Sequence, residues 1–182
     1  MSVQIFRKVT VVTVAALTLF TASTAYASID MFLTFKDSQI PGESKDIDHK
    51  DEIEVLAWSW GLQSQAGQGN KGTQVCVQDF SFTKFVDIAT PALIMKGVMG
   101  QNLGRAVLVV RKAGQNPLEY IVLTMHNVTL TSVSTGGKGG EDRLTENVTL
   151  HFDRITGEYV MQKLDGSAGS RTPFEVQGIK CQ

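Results

Sequence analysis

Apolar and β-branched residues recur along this chain mostly at a period of two, the repeat of strands with one buried face. Ile29–Phe35 (IDMFLTF) predicts a first strand. Ile53–Trp60 (IEVLAWSW) predicts a second, with Ile53, Val55, Ala57 and Ser59 on one side and Glu54, Leu56, Trp58 and Trp60 on the other. Trp58 and Trp60 then share a face as an aromatic ridge. Val75–Phe85 (VCVQDFSFTKF) alternates too, with Cys76, Phe80 and Phe82 of one parity and Val75, Val77 and Phe85 of the other. Arg105–Lys112 and Glu119–Val133 predict two strands joined by a turn at Ala113–Pro117, marked by Gly114 and Asn116-Pro117. The second of these is long enough to bend or change sheets. Asn147–Phe152 resumes the alternation with Val148, Leu150 and Phe152 on one face. Glu158–Lys163 and Phe174–Lys180 close the sheet across a flexible Asp165–Pro173.

One stretch breaks the period. Thr90-Pro91 reads as an N-cap and first helical residue, opening a helix over Pro91–Met99 that stops at Gly100. Leu93, Ile94 and Val98 would lay one side of it on the sheet, and Met95 and Met99 read as core filler. Eight or more short strands with one helix predict a mainly β domain, an antiparallel barrel or sandwich of two packed sheets flanked by a short α-helix.

Between the strands lie two glycine-rich segments. Gly61–Gly72 (GLQSQAGQGNKG) predicts a long mobile loop, a common kind of binding or assembly surface. Gly136–Gly140 (GGKGG) predicts a second, ending in the charged corner Glu141-Asp142-Arg143. It is no phosphate cradle, because Lys138 is followed by Gly139 where a hydroxyl is needed, and a strand follows instead of a helix. The polar stretch Lys36–Lys50 leads into Asp51 and Glu52 and holds Asp46, Asp48 and His49, but lacks the glycine and terminal glutamate of a calcium loop. A single histidine makes no zinc site. It predicts a solvated hairpin loop. His126 and His151 fall in strand patterns with no second ligand at metal spacing, as pH-responsive surface or barrel positions.

Composition narrows the function classes. The chain has 182 residues, 42% of them apolar, and a formal charge of −1. That is enough for one domain with a proper core. It carries no basic excess of the kind that binds nucleic acid. Met1–Ala27 reads as a secretory signal peptide, with Arg7 and Lys8 ahead of an apolar Val9–Phe20 and an Ala25-Tyr26-Ala27 cleavage site. Twelve apolar-leaning residues are too few to span a bilayer. A start near Met31 is the competing reading. Ser28–Gln182 would then be a single exported domain, periplasmic or secreted, in an oxidising compartment where Cys76 and Cys181 are a disulfide candidate. Two separate thiols remain the alternative. No G-x-S-x-G elbow, Cys/His pair or two-carboxylate cleft is spaced for catalysis, so no enzyme and no cofactor is expected.

Four segments carry a resemblance: SVSTGGKGGEDRLTENVTLHF (Ser132–Phe152), EIEVLAWSWG (Glu52–Gly61), VQDFSFTKFVDIATP (Val77–Pro91) and VVRKAG (Val109–Gly114). Together they make the chain similar to the haemolysin-coregulated protein (Hcp) family, the tube protein of bacterial type VI secretion. The resemblance implies a small β-barrel flanked by a helix, homohexameric rings that stack head to tail, and a lumen carrying effectors. The implied partners are further copies of the chain, the valine-glycine repeat spike protein, the contractile sheath and small effectors. It supplies no active site. Subunit contacts are expected from Trp58, Trp60, Gly61, Gly72, Gly136, Lys138, Gly140, Glu141 and Arg143. The signal peptide raises an alternative, an exported Hcp-like binding module outside any working secretion tube.

Overall fold

The computed structural model describes residues 28–65, 74–114, 116–140 and 142–177. Ten strands and one helix follow in order: β1 (Ile29–Phe35), β2 (Ile53–Ser59), β3 (Leu62–Gln65), β4 (Gln74–Val77), β5 (Phe80–Phe85), α1 (Ala89–Val98), β6 (Asn102–Lys112), β7 (Leu118–Thr135), β8 (Thr145–His151), β9 (Arg154–Gln162) and β10 (Ala168–Gln177). All pairings are antiparallel. The ladder β7-β6-β1-β2-β5-β8 returns to β7 and closes a six-stranded barrel. Closure leaves those six strands without a free edge.

The long strand β7 makes this possible. Its first half pairs with β9 from Ile121↔Tyr159 to His126↔Arg154, and its second half pairs with β8 from Thr129↔His151 to Thr135↔Glu146. Between the two registers Asn127 takes a left-handed φ of 54°, a conformation asparagine tolerates better than most residues. Its side-chain amide donates to Asp153 Oδ2 at 3.1 Å, tying the bend to the β8–β9 corner. Of the two sequence-based expectations for this run, a bend or a change of sheet, the structure shows the bend, and both halves stay in one sheet. The last two strands do not close the barrel, however. β9 and β10 extend outward from β7, and the stretch expected to be flexible, Asp165–Pro173, is mostly β10. Pro173 fits there because β10 is an edge, where a missing N–H breaks no ladder.

Inside the barrel Leu33, Phe35, Ile53, Val55, Phe80, Phe82, Leu108, Met125, Val148 and Leu150 form one buried cluster. Strand β2 departs from simple alternation. Its register to β5 slips between Val55↔Lys84 and Ala57↔Thr83, so Leu56 is the extra residue of a bulge. Ile53 and Val55 point inward, then Trp58 rather than Ala57 takes the inward side. The expected loop Gly61–Gly72 is partly a two-stranded arm, β3 paired with β4 apart from the barrel, and its tip lies outside the described residues. The predicted strand Val75–Phe85 is accordingly two strands, broken at Gln78-Asp79.

The helix also differs from its prediction. It starts at Ala89, and the backbone N–H of Ala89 is taken by Asp87 Oδ1 at 2.9 Å, so Asp87 rather than Thr90 covers the first turn. Ala89, Thr90 and Leu93 are buried, while Val98 is 81% exposed and Ile94, Met95 and Met99 are exposed too. Gly97 rests on β7, where an added Cβ would collide with Leu130. The helix thus lies on Ala89, Leu93 and Gly97, with Leu93 in the core as expected, and turns Ile94, Met95, Val98 and Met99 outward.

Lys36–Lys50 is not the solvated loop its composition predicts. It folds back along the outside of β1, with Gly42 N–H donating to Asp51 O at 2.8 Å and Ser44 N–H to Glu52 O at 3.1 Å. Gly42 sits so close that a Cβ would strike the Glu52 carbonyl. His49 stacks on Phe32 at 4.3 Å and is buried.

Candidate functional site

Polar side chains gather in four places, and each has a structural partner set. The deepest lies where β5, β8 and the start of α1 meet. Lys84 and Glu146 are cross-strand partners and both side chains are fully buried. Lys84 Nζ donates to Asp87 Oδ1 at 2.6 Å, Phe85 O at 2.8 Å and Thr90 Oγ1 at 3.2 Å, and lies 2.8 Å from Glu146 Oε1. The Thr90 hydroxyl donates to Glu146 Oε1 at 2.9 Å. One ammonium thus serves two carboxylates and staples the helix to the barrel, while Glu146 Oε2 is buried without a protein partner. Such a cluster fixes geometry more than it adds stability.

The second set holds the Lys36–Lys50 loop. Arg111 forms a two-pronged pair with Asp46, a contact to Asp30 at 3.2 Å and another to Asp48 at 3.5 Å, and its guanidinium lies 5.2 Å from the Phe32 ring centre. The Asp46 carboxyl is held down to about 2, first by the Arg111 hydrogen bonds. His49 Nδ1 meets Glu52 at 2.9 Å. Asp46 and Asp48 are therefore engaged by Arg111, and Glu52 by His49 and Lys36. Among the described residues no group of three potential metal ligands comes together.

The third set surrounds the β7 bend. Arg105 grips Asp37 through Nε at 3.0 Å and Nη2 at 2.9 Å, lowering the Asp37 carboxyl to about 2. Arg154 faces His126 Nδ1 at 3.3 Å, and burial followed by the Arg154 charge lowers the His126 pKa. The fourth lines a groove between the arm and the barrel. His151 Nδ1 bonds Asp79 at 2.8 Å, but the Thr131 hydroxyl donates to Asp79 Oδ2 and not to the imidazole. A nucleophile–base–carboxylate relay needs the hydroxyl on the imidazole, so these groups are not arranged as one.

The segments expected to make contacts separate to the two ends of the barrel. Pairings Ile29↔Lys112 and Lys112↔Leu118 put the start of β1, the end of β6 and the start of β7 at one end. β2 runs antiparallel to β1, so Gly61 and the arm lie toward that end also. Thr135↔Glu146 and Phe85↔Thr145 mark the other end, where the Gly136–Gly140 loop leaves β7. In that loop Lys138 is exposed, Gly137 leaves no room for a Cβ beside Leu144, and Gly140 has a φ of 95°.

Trp58 and Trp60 are half-buried and do not stand out as a ridge. Trp58 stacks on Phe80 at 5.8 Å, and Trp60 packs on Phe174 at 6.3 Å and Phe152 at 6.5 Å. Arg143 lies 3.9 Å over the Phe85 ring of its own chain. Gly72, Glu141 and Cys181 lie outside the described residues. Cys76 is on β4, and no free cysteine thiol occurs among the described residues. No helix among those residues is long and apolar enough to cross a membrane.

Comparison with known proteins agrees with this architecture. The family model described as "Type VI secretion system effector, Hcp" matches residues 32–159. Protein hcp1 of Pseudomonas aeruginosa PAO1 is 48% identical over 145 residues, covering 77% of this chain and 88% of that protein. A solved structure of a type six secretion system protein superposes with a TM-score of 0.75 at 27% identity, over 82% of this chain and 96% of the other. Hcp1 from Salmonella typhimurium superposes with a TM-score of 0.66 at 33% identity, over 84% and 95% of the two chains. A closed barrel with one flanking helix, matched in sequence across most of its length, places this chain in the Hcp family of the type VI secretion system.

Proposed function

We propose that the mature chain is an assembly subunit that closes into homohexameric rings, and that the rings stack head to tail around a lumen that carries effector proteins. The observation that carries this reading is the placement of its contact segments. The arm and the Gly136–Gly140 loop lie at opposite ends of one barrel, as a polar stack requires, because each ring must offer two different surfaces. The outward α1 face, with Met95, Val98 and Met99, adds apolar surface that the barrel core does not use. Around such a tube the partners are further copies of the chain, the valine-glycine repeat spike protein, the sheath and small effectors. Its work is mechanical and not catalytic. Native mass spectrometry of residues 28–182 at micromolar concentration tests it: six copies per particle are expected, and a clean monomer rejects the ring.

The segment Met1–Ala27 favours a second reading, in which the chain is exported singly and serves as a periplasmic or secreted binding module. The same measurement separates the two.

A further inference from the structure

We propose that His126 is a proton-operated latch: on taking up a proton it releases Arg154 and loosens the root of the β9–β10 wing at the bend of β7, while the barrel stays closed. In the strand order the wing hangs on the barrel through β7. The pair His126↔Arg154 is the last rung of the β7–β9 ladder. Directly after it Asn127 takes its left-handed φ, and β7 leaves β9 for β8.

The hydrogen bond fixes which form of the ring the closed latch needs. A guanidinium only donates, so Arg154 Nη2, at 3.3 Å from His126 Nδ1, requires a lone pair on that nitrogen. The closed state therefore holds a neutral imidazole with its proton on Nε2. A proton added to Nδ1 removes the acceptor and sets donor against donor.

The surroundings give the new charge little relief. β9 and β6 flank β7 on opposite sides, and each brings an arginine, Arg154 and Arg105. Two carboxylates come near, Asp37 after β1 and Glu175 of β10. Asp37 is already gripped by the Arg105 guanidinium and by the Arg105 backbone N–H at 2.9 Å. At the β8–β9 corner Asp153 accepts from the Asn127 amide. Burial first, then Arg154 and Arg105, hold the His126 pKa down against the opposite pull of Glu175 and Asp37.

Of the two arginines, Arg154 is the one able to leave. Arg105 is bound to Asp37 through Nε and Nη2, whereas Arg154 is half exposed and reaches Glu175 only at 3.4 Å. Protonation thus turns Arg154 toward Glu175 and solvent, and the last rung opens. The corner itself stays tied by Asp153 N–H to His126 O at 3.0 Å, so the opening is local. The wing also carries Phe174, stacked on Trp60 just ahead of the arm. The latch therefore couples acidity to the packing beside the arm.

Hydrogen exchange of the chain tests this, read by mass spectrometry on peptic segments at one protein concentration and corrected for the intrinsic pH dependence of amide exchange. Between about pH 7.5 and about pH 5, segments around His126 and Arg154 should exchange at least about fivefold faster. Segments holding Phe82, Leu108 and Val148 should stay unchanged. H126Q, whose side-chain carbonyl can still accept from Arg154, should keep the protection seen at the higher pH and lose the pH dependence. R154M leaves the imidazole without its guanidinium, so the His126 NMR titration should move upward relative to the unmodified chain. Exchange around Arg154 that ignores pH, or responds as strongly in H126Q, overturns the latch. So does a His126 titration that R154M leaves in place. Core segments exchanging together with the wing root also overturn it, since acid would then be unfolding the whole barrel.

Discussion

Replacing Lys84 by methionine keeps the volume of the side chain and removes the one ammonium shared by Asp87 and Glu146. Glu146 is fully buried and has an unpartnered Oε2 already, so its other oxygen would keep only the Thr90 hydroxyl. Breaking a buried pair by deleting one partner costs about 3–5 kcal/mol, a large share of the roughly 5–15 kcal/mol that holds a domain folded. With a urea slope of about 2 kcal/mol per molar, the unfolding midpoint should fall by about 2 M. Adding Glu146→Leu in the same chain removes the stranded carboxylate. Asp87 still accepts the Ala89 N–H at 2.9 Å, so the double variant should recover at least about half of the loss. Urea titrations followed by tryptophan fluorescence, at one fixed protein concentration, measure both. A single-variant cost below about 1 kcal/mol, or a double variant no better than the single, refutes the reasoning.

Three other outcomes follow from the chain and its fold. Thiol titration of the mature protein in denaturant without reductant should find no free thiol, Cys76 being paired with Cys181, and reduction should cost about 3–5 kcal/mol for so long a loop; two free thiols end that pairing. Stability should fall with acid in two stages. The folded state resists protonating His126, whose pKa is lowered from 6.5, so stability declines as pH drops below that value and His126→Gln should flatten this stage. Asp37 and Asp46, held at about 2 against an ordinary 3.8, contribute stability that is present above 3.8 and is lost as pH falls toward 2; a curve level between pH 7 and pH 2 would contradict it. Intact mass of the exported protein should correspond to a chain starting at Ser28, and a mass retaining Met1–Ala27 would not fit.

How far the residues announced this structure depends on how local each cause was. Strand positions such as Phe80, Phe82, Val148 and Leu150 were legible because one face is buried and the period is two. The same parity, carried two residues further, points Lys84 and Glu146 inward. Neither residue stands out in the sequence, because Lys and Glu are rarely fully buried unless paired. The bulge at Leu56 was illegible, because β5 sets that register and nothing in IEVLAWSW marks the extra residue. The helix misled for a similar reason. Leu93 faces the core as expected, but Ile94 and Val98 do not, and at Gly97 the β7 residue Leu130 fills the space a side chain would need. Loop Lys36–Lys50 read as solvated because its composition is polar, whereas Arg111, far along the chain, draws in Asp46 and Asp48. The two loop segments were singled out by their glycines and by the resemblance, and their separation to opposite ends appears only once the barrel is closed.

Electron cryo-microscopy of residues 28–182 tests the central claim most directly. The account predicts six-fold rings, with the β3–β4 arms on one rim and the Gly136–Gly140 loops on the other, repeating in the same orientation along any stack. Single barrels, or rings paired with like ends together, would contradict it.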